Sequence, residues 1–322
     1  MSSNSSPTEA RAALVALLAE ETAAPVAQPI AAMASSIAGR HAEAAEAVLF
    51  YGSALRSDDP AAFVEGVLDF YLVVSDYRRT YGAGGLAIAN RLLPPNVFYA
   101  ELPWSGGRLR AKYAVIAADQ LGRRVAPGHL EPALWARFCQ PLRLLQVRDE
   151  AVRRRIVEML ADAVLAFVAA ALPLAGDSFD AEGFWTAGFA ATYRAELRAE
   201  SGKRPEELYR ASAARYDRIL PLALGALGLR FESSEFGGRY RIDGGRRGHA
   251  SLWPLRQAIG RGLHLLRLVK GAFTFEGGVD YILWKIERHT GRRPPISDWE
   301  RRHPVLAAPV LLLRFYRAGA FR

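Results

Sequence analysis

The sequence predicts an α+β protein in which a mixed sheet is followed by helices. Five short runs of β-favouring residues occur before residue 150, and segments that contain glycine or proline separate them. After residue 150 the apolar spacing is that of helices. The chain has 322 residues, of which 51% are hydrophobic, so it can bury a sizeable core and is not a disordered protein.

The first 40 residues are expected to form a loosely attached N-terminal segment. They are rich in alanine and serine, residues 10–21 favour a helix, and Pro25 and Pro29 interrupt the stretch after that helix. The strands come next, and we predict them at residues 48–51, 67–74, 97–102, 109–117 and 142–147.

Helical patterns dominate the second half of the chain. Residues 152–172 predict a long helix that ends before Pro173, and residues 178–228 look helical throughout. Beyond them we predict a hairpin at 231–243 with Gly237-Gly238 as its turn, a basic amphipathic helix at 252–268, a glycine-bounded loop at 271–278 and a helix at 279–289. The predicted units are the N-terminal segment (1–40), a sheet domain (41–175), a mostly helical domain (176–250) and a basic C-terminal region (251–322).

Positive charge is concentrated near the C-terminus. The net charge of the chain is +9, yet residues 246–322 alone carry +10. Such asymmetry indicates a polyanionic partner, either nucleic acid or an anionic membrane surface. An arginine-rich genome composition is the alternative explanation. Residues 305–313, which arginines and aromatic residues flank, also suit a segment that lies in a membrane interface or docks as a helix on protein.

Other features limit the compartment. No apolar run approaches the ~20 residues that span a bilayer, and the polar N-terminus does not resemble a secretory signal. Cys139 is the only cysteine, which excludes an intrachain disulfide and a cysteine-rich metal site. We expect a soluble or peripheral cytosolic protein.

Two short motifs carry candidate chemistry. Gly52-Ser53 closes the first predicted strand, where backbone N–H groups of a tight turn can hold a phosphate, although an ordinary turn has the same sequence. Asp69 lies inside an apolar strand, where a carboxylate is costly without a partner. That partner is either a divalent cation or a structural arginine.

The order of these motifs is typical of nucleotidyltransferases. In that arrangement the Gly-Ser turn holds the triphosphate of a nucleotide and the aspartate on the next strand holds Mg²⁺. A second carboxylate commonly stands two residues after the first, but here that position is Tyr71. Another carboxylate must complete the site. Asp76 is one candidate, although an aspartate at a strand end is more often a helix cap.

Longer motifs resemble one family. Leu68–Val74, Asn96-Val97-Phe98-Tyr99 and Ala111-Lys112-Tyr113-Ala114-Val115-Ile116 occur in the order seen in the mitochondrial-type, peripheral phosphatidate cytidylyltransferases, also known as the translocator assembly and maintenance family. Thr192-Tyr193-Arg194-Ala195-Glu196-Leu197-Arg198 resembles that family's Ser-Tyr-x-Gly-Asp-x-Arg. Val269-Lys270-Gly271-Ala272-Phe273-Thr274 resembles its Thr-Lys-Gly-Ile-Phe-Thr. The resemblance covers residues 47–278.

The resemblance implies a role for each matching position. Asp69 and Glu196 would bind Mg²⁺ and, with Lys112 and Lys270, would form the catalytic set. The nucleotide-binding positions would be Gly52, Ser53, Lys112, Tyr193, Arg198 and Lys270. The implied fold is a nucleotidyltransferase-like domain, followed by a mostly helical domain and a basic C-terminal segment.

The implied reaction is CTP + phosphatidate → CDP-diacylglycerol + pyrophosphate, with Mg²⁺ as cofactor. The implied partners are CTP, phosphatidate and an anionic membrane surface rather than nucleic acid, and the implied location is peripheral, on the cytoplasmic face of a membrane. Residues 75–82 contain no histidine, where the family has Trp-His and His-Tyr-Ser. Two alternatives therefore stay open. The protein could transfer a nucleotide to another phosphorylated or hydroxylated acceptor, or it could be a non-catalytic relative that binds membrane or nucleic acid. Oligomeric state does not follow from the sequence.

Overall fold

A computed structural model of the chain describes residues 6–56, 60–104, 107–176, 178–196, 203–233, 238–243, 252–274, 296–297 and 299–300. Its helices and strands alternate irregularly, as in an α+β protein. In chain order they are α1 (Pro7–Ala23), α2 (Gln28–Gly39), β1 (Ala45–Tyr51), α3 (Pro60–Glu65), β2 (Leu68–Val74), α4 (Tyr77–Tyr81), α5 (Gly85–Leu92), β3 (Asn96–Trp104), β4 (Gly107–Ala117), α6 (Ala118–Val125), α7 (Ala133–Phe138), β5 (Arg143–Leu145), α8 (Glu150–Ala171), β6 (Ser178–Asp180), α9 (Ala181–Tyr193), α10 (Arg204–Arg210), α11 (Ala213–Ala226), β7 (Phe231–Ser233), β8 (Arg239–Ile242) and α12 (Leu252–Thr274).

The main sheet has five strands in the order β3-β4-β2-β1-β5. Only β2 and β4 pair in parallel; the other three pairs are antiparallel. The fold class and all five strands predicted from the sequence are confirmed, with ends that shift by one to three residues. The mixed pairing follows from the connections, since α4 and α5 carry the chain across to β3 before β4 returns beside β2.

Both faces of this sheet are buried. Alternate residues of β2 point to opposite sides, so Phe70 and Leu72 join a core beneath α2, whereas Tyr71 and Val73 join a larger core beneath α8. All four side chains are at most 6% exposed. A strand that is buried on both faces has an almost continuous run of apolar residues. This explains why every residue of β2 except Asp69 is apolar or aromatic.

The N-terminal segment is part of the larger core, so the expectation of loose attachment is wrong. Leu14 and Leu18 of α1 are buried against α8 and α11, and Arg11 pairs with Asp162 at 2.8 Å. Two leucines four positions apart supply an apolar stripe that the Ala-rich composition conceals. Pro29 does not break α2 but lies in its first turn, where the missing N–H costs nothing.

One core also spans the predicted boundary at residue 175. Trp185 of α9 and Tyr216 of α11 belong to the larger core, the same buried cluster that contains Tyr71 and Val73 of β2. Within 178–228 the described residues form α9, α10 and α11, with turns between them, and β6, which pairs with β8. The predicted hairpin is confirmed as β7–β8. The helix Glu150–Leu174 is long and apolar enough to cross a bilayer, but 78% of its most apolar window is buried inside the protein.

Helix α12 confirms the predicted basic helix and extends further. It continues through Thr274, so the first four residues of the predicted loop at 271–278 are helical. Its cations face the protein: Arg267 pairs with Glu131 and donates to the Pro94 carbonyl at 2.7 Å. The predicted helix at 279–289 and the tail at 305–313 lie outside the described residues.

The Glu131 carboxylate joins α12 to the sheet domain. It is 3% exposed and pairs with both Arg124 and Arg267, which are 19% and 16% exposed. Removing one partner of such a pair leaves a buried charge uncompensated. We expect Glu131→Ala to lower the free energy of unfolding by about 3–5 kcal/mol, measured by urea denaturation.

A matched control is the exposed pair of Asp119 and Arg123 on α6. Because water already solvates these groups, Asp119→Ala should change the unfolding free energy by less than about 1 kcal/mol. Equal effects of the two substitutions would contradict the structural role of Glu131.

Candidate active site

Strand register brings the first candidate residues together. Tyr51 at the end of β1 lies opposite Asp69 at the start of β2, and Asp69 lies beside Lys112 of β4. The Lys112 Nζ is 3.6 Å from the Asp69 Oδ1. Both side chains are partly exposed, at 35% and 28%, so the pair faces an opening rather than the core.

Gly52 is required where β1 ends. Its φ of +95° lies in the left-handed region, and a Cβ built there would come within 2.9 Å of the Asp69 Oδ2. Ser53, which is exposed, then begins a 3₁₀ turn that runs to Arg56. The predicted Gly-Ser turn therefore lies directly against the predicted metal-binding carboxylate.

Tyr71 lies at the position where nucleotidyltransferases commonly carry a second carboxylate. It is 6% exposed, and its ring packs 5.3 Å from that of Tyr51 and 4.9 Å from that of Phe138. Asp76 does not replace that carboxylate, because it caps α4 by accepting from the Arg78 and Arg79 amides, at the other end of β2. The sheet thus offers one carboxylate to the opening.

Glu196 supplies a second carboxylate. It follows the last turn of α9, and Tyr193 and Glu196 line the same cavity as Asp69, with a volume of about 400 Å³. The residues that line this cavity come from the sheet, α7, α9 and α10: Tyr51, Gly52, Ser53, Asp69, Lys112, Ala133, Ala136, Arg137, Gln140, Thr192, Tyr193, Glu196, Arg204 and Leu208.

Helix α12 fixes the turn that carries Glu196. A Cβ at Gly260 would meet the Ala195 carbonyl oxygen at 2.6 Å, so only glycine allows this approach. The Arg261 side chain also donates to the Arg194 carbonyl at 2.9 Å. The position of Glu196 in the cavity therefore depends on a helix that begins 56 residues later in the chain.

Arg137 is a cavity residue that the sequence did not reveal. Its Cζ lies 5.0 Å from the centroid of the Tyr51 ring, within range of a cation–π interaction. Burial opposes its charge, but interactions with Tyr51, Tyr71, Glu196 and Asp69 outweigh that effect and raise the guanidinium pKa. The cavity thus combines two carboxylates with cations from three elements.

The carboxylates fit a cation that shares its ligands with a substrate. Among the described residues there is no cluster of three or more His, Cys, Asp or Glu side chains, which a metal cage made only of protein would need. Mg²⁺ is usually held by one or two carboxylates, with substrate phosphates and water as its other ligands. Asp69 and Glu196 match that smaller requirement.

One predicted site residue, Lys270, does not join this group. Lys270 lies on α12 rather than in a loop, and its Nζ donates to the carbonyls of Leu93 and Pro95 at 2.5 and 2.6 Å. Burial, with a smaller contribution from Arg267, lowers the Lys270 pKa to about 8. This placement does not support a phosphate-binding role. Arg198 lies outside the described residues.

No protein-family model matches the chain, and no curated protein shows significant similarity to it. The resemblance to phosphatidate cytidylyltransferases therefore stays a prediction from the motifs.

The close approach of Gly52 to Asp69 is testable. Gly52→Ala should destabilise the protein by about 1–2 kcal/mol, because an L-residue is strained at this φ, and should also displace the Asp69 carboxylate. Gly84→Ala is the matched control, since Gly84 has a φ of −105° and open space around it. Urea denaturation of both variants measures the difference. A Gly52→Ala variant as stable as Gly84→Ala would contradict the close contact.

Proposed function

We propose that this protein is a Mg²⁺-dependent nucleotidyltransferase that transfers the cytidylyl group of CTP to phosphatidate. The observation that carries the proposal is the cavity itself. Gly52, Ser53, Asp69, Lys112, Tyr193 and Glu196 were selected from motifs spread over more than 140 positions, and all six line it. The resemblance to phosphatidate cytidylyltransferases supplies the choice of CTP and phosphatidate.

The sheet side of the cavity suits a triphosphate. The turn at Gly52-Ser53 offers backbone N–H groups without a side chain in the way, and such turns bind phosphate. Lys112 adds a compact ammonium from the neighbouring strand, which can approach a single phosphate oxygen closely. The Lys112 Nζ is 3.6 Å from the Asp69 Oδ1, so the ammonium could contact a phosphate whose Mg²⁺ Asp69 holds.

Asp69 and Glu196 would hold Mg²⁺, which when bound neutralises the charge that develops on the transferred phosphate. In the reaction a phosphate oxygen of phosphatidate attacks the α-phosphorus of CTP, the bond to the β-phosphate oxygen breaks, and pyrophosphate leaves. No covalent enzyme intermediate is needed. The work of the protein is to hold the two phosphates in line and to exclude water between them.

The outer face of α12 suits an anionic membrane surface, where a lipid substrate resides. Its leucines and valine point away from the protein, with Leu255, Leu265, Leu266, Leu268 and Val269 between 47% and 56% exposed. Residues 246–322, which include this helix, carry the positive excess of the chain. Apolar residues that enter the interface and cations that attract anionic lipids act together in peripheral binding.

The decisive experiment measures pyrophosphate release with each of the four nucleotides, with and without phosphatidate. We expect release with CTP and phosphatidate, and we expect Asp69→Asn and Glu196→Gln to reduce it at least ~100-fold while leaving the unfolding midpoint within a few degrees. Release with another acceptor would favour the broader nucleotidyltransferase assignment. No release under any condition would favour a non-catalytic relative, a role that Tyr71 at the second-carboxylate position would suit.

The proposed membrane contact predicts that substitutions on α12 weaken vesicle binding. Replacing Leu265 and Val269 with glutamine should reduce co-sedimentation with phosphatidate-containing vesicles several-fold, because each apolar side chain contributes about 1.5–3 kcal/mol when buried. Glutamines at Ala13 and Ala16, exposed positions of α1, are the matched control. Equal binding by the two double variants would show that α12 does not contact the membrane.

A further inference from the structure

Arg137 lines the cavity from the short helix α7. Leu134, Trp135 and Phe138 of this helix are at most 3% exposed and anchor it in the larger core. Arg137 is thereby presented to the cavity. The Tyr51 ring lies directly beneath the Arg137 guanidinium and restricts its movement.

The side chain of Arg137 has no hydrogen bond or ion pair in the described part of the chain, and its guanidinium lies over the Tyr51 ring. Arg215 provides a contrast. It stacks on Tyr216 at 5.1 Å in the same manner, but it also donates to Glu21 at 2.6 Å and to the Cys139 carbonyl at 2.9 Å.

The same contrast holds for the other partly buried arginines near α12. Arg256 donates to two carbonyls, and Arg124 and Arg267 share the Glu131 carboxylate. Desolvated cations are costly unless they are paired. Arg137 lines the cavity, and no described acceptor lies within hydrogen-bond distance of its N–H groups, so these donors remain available to a ligand that enters.

We propose that Arg137 is the anion receptor of the cavity and binds two oxygens of a substrate phosphate through parallel N–H···O bonds. A guanidinium fork matches phosphate geometry, and such bidentate, charge-assisted bonds are among the strongest in proteins. The choice of phosphate rests on the proposed function, whereas the need for an anion rests on the surroundings of Arg137 alone. The phosphate belongs either to the nucleotide or to the lipid headgroup.

The test measures direct binding by calorimetry and thermal unfolding, with EDTA present so that no metal contributes. Tripolyphosphate represents the nucleotide phosphates, and glycerol 3-phosphate represents the headgroup. Arg137→Met retains the length of the stem and removes the charge. We expect it to weaken the binding of one of the two probes about 10- to 100-fold, and the probe affected identifies the source.

Two further variants separate binding from folding. Arg137→Lys retains the charge without the fork, so its affinity should fall between those of the wild type and Arg137→Met. Arg123→Met, at an exposed arginine of α6, should bind both probes like the wild type. Without ligand, the unfolding temperature of Arg137→Met should be lower than that of the wild type by a few degrees at most, because the favourable interactions of the charge largely offset the cost of its burial.

Unchanged affinity of Arg137→Met for both probes would overturn the proposal. A larger drop in the unfolding temperature of the ligand-free Arg137→Met protein, with wild-type affinity in Arg137→Lys, would instead show that the residue is structural. The binding measurement does not depend on whether the protein catalyses the proposed reaction. Loss of tripolyphosphate binding without any pyrophosphate release from CTP would leave Arg137 as an anion receptor and refute the cytidylyltransferase.

Discussion

The register between β1, β2 and β4 determines where every sheet-borne candidate residue lies. Because both faces of β2 are buried in separate cores, a slip of one residue would move Phe70 and Leu72 into the space of Tyr71 and Val73, and the reverse. Neither core could accommodate that exchange. The packing of apolar side chains therefore fixes the position of Asp69, although Asp69 itself contributes little to the packing.

Charged groups in this protein fall into two kinds of arrangement. Glu46 and Glu131, at 5% and 3% exposed, are each held by two arginines, and these tight pairs connect distant elements. Around the cavity the spacing is wider: Lys112 and Asp69 are 3.6 Å apart, against 2.7 Å for Arg124 and Glu131. Under the proposed function, a phosphate beside Lys112 would need Mg²⁺ between itself and the Asp69 carboxylate, because the two anions repel each other.

Local patterns sufficed to predict the parts of the fold that local forces determine. Alternating or continuous apolar residues predicted the five strands, and the long helix α8 followed from its unbroken apolar spacing. Sequence patterns gave wrong predictions where tertiary contacts determine the local structure. Gly271 suggested a loop after Lys270, but α12 continues because its cations find carbonyl partners on the sheet domain.

The site was predictable to a similar extent. Asp69 was identifiable because a carboxylate in an apolar strand is unusual, and Gly52 because a turn must come after the strand. Arg137 gave no comparable signal. It is one of many arginines in an Arg-rich chain, and only the fold shows that its described neighbours leave it without an acceptor. Absence of a partner is a property of three-dimensional packing that sequence spacing does not record.

Helix α12 shows why a basic sequence is not the same as a basic surface. All four of its lysine and arginine side chains donate to acceptors in the rest of the protein: Arg256, Arg261, Arg267 and Lys270. The exposed face is left to leucines. An ordinary surface helix turns its charged side chains to water and its apolar side chains to the core. In α12 the charged side chains contact the protein and the leucines are exposed.

This reversal connects the proposed membrane contact to the cavity. The inner face of α12 holds the turn at Ala195 through Gly260 and Arg261, and that turn positions Glu196. The outer face of the same helix is the apolar surface assigned to the bilayer. A rigid helix that touches both therefore fixes how far Glu196 can lie from the membrane. Since the charges of α12 are already used inside the protein, its own contribution to membrane binding must come from apolar burial, and electrostatic attraction must come from cations elsewhere in the chain.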